Sequence, residues 1–148
     1  MTDIAFHFNA PDKLAYACRL LRKAVGSGAR VIVTGGASIL RDLDTQLWTF
    51  SALEFIPHCH VDSDLTQRQV SAVVLTPDAQ HPELPHHEVL LNLGQDWPQG
   101  FERFTRVIEV VNLDDQDRQL ARQRWRRYTE QGYVITRHDL HLRDAEAA

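Results

Sequence analysis

Five arginines stand close together in Arg118-Gln119-Leu120-Ala121-Arg122-Gln123-Arg124-Trp125-Arg126-Arg127-Tyr128, with no acid among them. At about 100° per residue on a helix, Arg118, Arg122, Trp125, Arg126 and Thr129 share one face. Leu120, Ala121 and Tyr128 share another, the one suited to the core. Guanidinium groups bind carboxylates and phosphates through planar donors, and an aromatic neighbour adds an apolar seat. The competing reading is a solvated basic face paired with nearby acids, as charged helix faces commonly are. A second concentration is Leu47-Trp48-Thr49-Phe50-Ser51-Ala52-Leu53-Glu54-Phe55-Ile56-Pro57-His58. Its three large aromatics fit either a plug beneath the sheet edge or a binding surface.

Signals for catalysis are weaker. Gly35-Gly36 follows Val31-Ile32-Val33-Thr34 and precedes Ala37-Ser38, so backbone N–H groups there could hold a phosphate. The lysine and hydroxyl of a phosphate loop are missing, and so is a dinucleotide fingerprint, which favours a plain tight turn. His58-Cys59-His60 with Asp62 and Asp64 offers metal donors, but no second pair at zinc spacing completes a set. No serine has a nucleophile-elbow context. Asp42 and Asp44 point to different faces of a helix, and Asp114, Asp115 and Asp117 suit a helix start. The sequence predicts a non-catalytic chain with no metal and no cofactor.

The elements that must position these residues follow from periodicity. Residues 4–8 alternate and predict a first strand. Leu14, Ala17, Cys18, Leu21 and Val25 recur at helical steps, after Pro11-Asp12 and before Gly26-Ser27-Gly28. Residues 30–34 predict a buried strand and residues 37–48 a second helix. Residues 70–76, 87–93 and 107–111 predict three more strands, and residues 100–103 a short helix. Residues 114–131 predict the last helix, stopped by Gly132, and residues 133–135 a final short strand. The stretch 77–86 holds three prolines and predicts a long surface connection. Strands alternating with helices argue for a single domain: an open, mainly parallel α/β sheet with helices on both faces.

The chain has 148 residues, with 43% hydrophobic and 24% charged residues and a net charge of −4. That length fits one domain with a core of its own. A mildly acidic chain is a poor candidate for coating nucleic acid with its whole surface, though a local basic patch is compatible with it. The apolar runs are too short for a membrane span, and the Met-Thr-Asp-Ile start predicts no secretory signal. Two isolated cysteines, Cys18 and Cys59, read as thiols in a reducing compartment, so a cytoplasmic location is expected.

Taken in order, several blocks resemble the chi subunit family of bacterial DNA polymerase III holoenzyme. They are Ile4–Phe8, Arg30-Val31-Ile32-Val33, Leu43-Asp44 with Leu47-Trp48, and Phe55-Ile56-Pro57-His58. Phe104-Thr105 with Val107-Ile108-Glu109 follows, then Gln119-Leu120-Ala121-Arg122 with Arg124-Trp125, Tyr128 and Gly132-Tyr133. Residues 61–87 match weakly. The resemblance implies a nucleotide-binding-like sheet without a working nucleotide site. It implies an accessory subunit of the clamp-loader assembly that pairs with the psi subunit. It also implies binding of the acidic, hydrophobic C-terminal tail of single-stranded DNA-binding protein, with DNA contacted only indirectly and no membrane partner.

On the same basis the tail-binding positions fall on Arg118, Arg122, Trp125 and Arg126, with Val111 and Gly132 at the edge. The psi-facing positions fall on Trp48 and Phe55, with Pro57 beside them. The family usually has tyrosine where this chain has Trp125, and lysine is common at 118 and 126. Arginine keeps the charge and adds planar donors, whereas tryptophan keeps the aromatic wall and loses a hydroxyl. Two competing functions follow from the residues themselves. The same arginines could bind single-stranded DNA directly, although only Trp125 is placed to stack. Alternatively, the Gly35-Gly36 turn could serve a small nucleotide-dependent enzyme.

Overall fold

The run Val31–Thr34 is buried at every position, which suits the middle of a parallel sheet covered on both sides. The computed structural model describes residues 2–49 and 56–141. In chain order the elements are β1 (Asp3–Ala10), α1 (Lys13–Gly26), β2 (Val31–Thr34), α2 (Ala37–Thr49), β3 (His58–His60) and α3 (Leu65–Val70). They continue with β4 (Val73–Thr76), β5 (Val89–Asn92), a 3-10 turn (Phe101–Arg103), β6 (Arg106–Asn112), α4 (Asp115–Glu130) and β7 (Ile135–Asp139). Among the described residues seven strands lie in the order β3-β4-β2-β5-β6-β1-β7, and every pairing is parallel.

From β1 the chain steps across the sheet to β2 and then to the β3 edge, using α1 and α2. It then reverses and returns through β4, β5, β6 and β7. Right-handed crossovers require the connections to change face when the direction reverses, and the two cores show that change. Ala17, Cys18 and Leu21 of α1 and Leu40, Leu43 and Leu47 of α2 pack with Val31, Val33, Val73 and Leu75. On the opposite face Ile32, Val74 and Leu90 pack with Phe101, Phe104, Ala121 and Tyr128. Ala79 and Leu84 belong to this second core, so the proline-rich connection covers the sheet where a helix would otherwise lie.

Local chemistry sets the helix ends. Asp12 caps α1 by accepting from the Ala15 N–H at 3.1 Å, and Asp114 caps α4 by accepting from the Asp117 N–H at 3.2 Å. Beyond α4, Gly132 has a φ of +89°. Its N–H donates to the Thr129 carbonyl, and the Tyr133 N–H reaches back to the Tyr128 carbonyl. That pattern needs a left-handed residue and leaves two aromatic side chains together. The Tyr128 and Tyr133 rings are 6.3 Å apart.

The fold class matches the sequence reading, and the pairing is entirely rather than mainly parallel. The predicted strand over 70–76 divides in two. Its first residue ends α3, capped by Asp64, and the strand proper begins at Val73. The three-residue strand His58–His60 was not anticipated. The last strand starts at Ile135 and runs on to Asp139, because parallel pairing with β1 extends it beyond the short apolar signal.

Candidate functional site

Helix α4 is fixed to the sheet by buried charge. Glu109 on β6 is fully buried, and Arg124 is 3% exposed. The Arg124 Nε donates to Glu109 Oε1 at 3.1 Å. Asn92 donates to the same oxygen at 2.9 Å, and the Tyr128 hydroxyl donates to Oε2 at 2.8 Å. Burial pushes the Glu109 carboxyl above its ordinary range, against the pull of the Arg124 charge and these hydrogen bonds. Burial and the adjacent Glu109 push the Tyr128 phenol upward as well. One turn from the helix start, Asp117 forms a buried ion pair with Lys13 at 3.1 Å. It also accepts from the Asn112 backbone N–H at 2.9 Å. Asp117, Ala121, Arg124 and Tyr128 therefore face inward. Leu120, expected beside them, is half-buried.

The outward residues of α4 border a cleft of about 460 Å³ between the helix and the carboxyl ends of β1 and β6. Phe6, Phe8, Val111 and Ala121 supply its apolar surface, and Trp125 forms a wall. The Phe6 and Trp125 rings are 5.0 Å apart. Arg118, Arg122, Arg126 and Arg137 surround it, and no carboxylate lines it among the described residues. None of the four guanidiniums forms an ion pair with a described residue. Arg137 lies over Phe8 at 5.6 Å and over Trp125 at 5.8 Å, within the range of cation–π attraction. Concentrated positive charge beside an apolar seat suits an anionic ligand with an apolar end.

Arg118, Arg122, Trp125, Arg126 and Val111 are thus brought together. Gly132 stands outside the cleft lining and shapes the turn after α4. Sequence reasoning missed Phe6, Phe8 and Arg137. The first two were available from alternation, since both fall on one face of β1. Arg137 is hidden in the sequence because the apolar signal of the last strand stops at Ile135, and its register opposite Phe6 depends on tertiary pairing.

A second aromatic feature lies at the far end of the sheet. Trp48 is 59% exposed, and its ring lies 4.8 Å from that of His58. His58 bridges the Ile56 carbonyl at 2.7 Å and Asp44 at 3.0 Å, so both of its ring nitrogens are engaged. Pro57 is half-buried beside it, and Phe55 lies outside the described residues. No group of three or more His, Cys, Asp or Glu able to hold a metal occurs among the described residues.

The Gly35-Gly36 turn borders a crevice of about 730 Å³ at the carboxyl ends of β2, β4 and β5. A Cβ on Gly35 would sit 2.9 Å from Ile39 Cγ2 and 3.4 Å from the Gly94 nitrogen. Gly94 in turn approaches the Gly35 Cα at 3.1 Å, measured from its own would-be Cβ. Close passage of two backbones accounts for these glycines. Lys13, which lines the crevice, is held by Asp117 and the Leu93 carbonyl.

An all-parallel sheet with a tightly packed glycine turn and a basic aromatic cleft defines an α/β protein built on a nucleotide-binding-like plan, with its most distinctive surface elsewhere. The family described as DNA polymerase III chi subunit, HolC, matches residues 1–136. The chain is 35% identical over 129 residues to DNA polymerase III subunit chi of Pseudomonas aeruginosa, covering 86% of this chain and 87% of that protein. It is 28% identical over 122 residues to DNA polymerase III subunit chi of Haemophilus influenzae, covering 81% and 82% respectively. The chain belongs to the DNA polymerase III chi subunit family, whose members are accessory subunits in DNA replication. No helix among the described residues is long and apolar enough to cross a membrane.

Proposed function

We propose that this chain is a non-catalytic adaptor of the clamp-loader assembly, linking the psi subunit to the C-terminal tail of single-stranded DNA-binding protein. The observation that carries the reading is the cleft with four arginines, none ion-paired to a described residue, around Phe6, Phe8 and Trp125. A tail that ends in phenylalanine with a free carboxylate, after several aspartates, has matching chemistry. The terminal ring enters beside Trp125, Arg122 grips the carboxylate, and Arg118 and Arg126 draw in the aspartates. Psi binds through Trp48, Phe55 and Pro57, at the other end of the molecule's sequence motifs.

The test is a titration with a tail peptide and with the same peptide amidated at its end. A charge-assisted hydrogen bond contributes about 1.5–3 kcal/mol, so Arg122→Ala should weaken binding roughly ten- to a hundredfold. Arg118→Ala and Arg126→Ala should cost less and mainly soften the salt dependence, because they meet mobile aspartates. Unchanged affinity on amidation, or parent-like binding by Arg122→Ala, removes the anchor role.

A further inference from the structure

We infer that the chain carries a second binding groove, on the reverse face of β1 and β7, that takes single-stranded DNA directly. Strand alternation separates the two sites. Phe6, Phe8 and Arg137 face the arginine cleft, whereas His7 and His138, their neighbours along the strands, line a groove of about 700 Å³ beside α1. The two linings share no residue.

Three cations border this groove: Arg19 and Lys23, one turn apart on α1, and Arg106 at the start of β6. All three are exposed, and none forms an ion pair with a described residue. Among the described residues Asp3 is the single acid in the lining. In a chain of net charge −4, such a groove is locally positive against the overall sign. Between the cations lies a row of rings. His7 and His138 have centroids 4.4 Å apart, His7 and Tyr16 5.8 Å apart, and Arg19 lies 6.0 Å over Tyr16. His7 is buried and holds the row together, whereas Tyr16 and His138 are half-buried, so their two rings are the ones that face the groove.

Cations along a channel track a phosphate backbone, and flat rings between them accept unpaired bases. An acidic peptide would use the charges and leave the rings without a matching group. A duplex hides its base faces in the stack, so the single strand fits both features. The groove therefore departs from the expectation that DNA is met only indirectly. It is independent of the tail-binding proposal, since the two sites use different side chains.

The test is fluorescence anisotropy of the full chain with a labelled short oligothymidylate. Three neutralised phosphates give a salt slope of about −2 on a logarithmic scale, so affinity should fall roughly twentyfold between about 50 and 200 mM salt. The triple variant Arg19→Glu, Lys23→Glu, Arg106→Glu should lose at least about tenfold at low salt while binding the tail peptide like the parent. That retained peptide binding also reports an intact fold. Arg118→Glu with Arg122→Glu should show the reverse pattern. A strand of equal length made of abasic sites should bind several-fold more weakly than the thymidylate. Absence of binding by the parent at low salt overturns the inference. So does loss of binding in the α4 variant but not the groove variant, or equal affinity for the abasic strand.

Discussion

Replacing Arg124 by methionine removes the one cation that, among the described residues, pairs with Glu109, and leaves a carboxylate at 0% exposure. Methionine fills part of the space and supplies no donor. Breaking a buried ion pair from one side typically costs about 3–5 kcal/mol, because the remaining charge stays desolvated. Against total stabilities of about 5–15 kcal/mol, that is a large fraction. The cost should depend on pH, and its direction follows from Glu109. Burial already raises its folded-state pKa, with Arg124 the leading opposing influence. Without Arg124 the pKa rises further above the unfolded value, and each added unit corresponds to about 1.4 kcal/mol. A carboxyl with a raised folded pKa is protonated on folding. Its stability contribution is therefore fully present below the unfolded pKa and is lost as pH rises through the folded pKa. The deficit of Arg124→Met relative to the parent should grow from about pH 5 to pH 8.

Urea unfolding followed by tryptophan fluorescence reads this directly, since Trp97 lies 4.5 Å from the Tyr128 ring and Trp125 is on α4 itself. The double variant Glu109→Leu, Arg124→Met should recover most of the loss, because an apolar pair needs no countercharge. A single variant within about 1 kcal/mol of the parent throughout, or a deficit that shrinks as pH rises, would refute the reasoning.

Two further outcomes are expected. Trp48→Ala should keep its fold, as an exposed side chain, and lose about 2 kcal/mol of psi affinity, roughly thirtyfold; calorimetric titration with psi checks it, and parent-like binding makes Trp48 a bystander. Gly132→Ala puts a Cβ on a residue at φ +89° with nothing within 4 Å of it, so the loss should be purely conformational, about 1–2 kcal/mol, read as a lower midpoint in urea.

The arginine face of α4 was legible because helical periodicity reveals which side chains share a side. Its attachment was not. In the sequence Arg124 is one of five arginines, and nothing local marks it as the inward one. Glu109 sits in an apolar strand, where a carboxylate is tolerated only if partners arrive from residues far along the chain. Asn92, Arg124 and Tyr128 do so only once β5, β6 and α4 are assembled. Likewise Asp117 suited a helix start, but its pairing with Lys13 spans 104 positions. Strand β3 escaped because three residues, two of them histidines, carry no alternation to detect. Its place at the edge comes from pairing with β4.

The same buried charges bear on why both proposed sites lie at the β1–β7 end of the sheet. In doubly wound sheets the crevice where the chain reverses direction is the usual ligand site. Here Gly35 and Gly94 bring two loop backbones into contact at that crevice. Lys13 is already satisfied there by Asp117 and the Leu93 carbonyl, and Asp78 and Asp96 add negative charge to the lining. A polyphosphate entering it would meet carboxylates and a lysine that is already paired. At the other end, β1 is crossed on one face by α4 and bordered on the other by α1, and β7 beside it is an edge strand. That arrangement leaves two concave surfaces with cations not ion-paired to described residues, back to back across two strands. A rigid pair of strands between them sets their spacing, so a tail held on one face and a single strand held on the other would be kept a fixed distance apart.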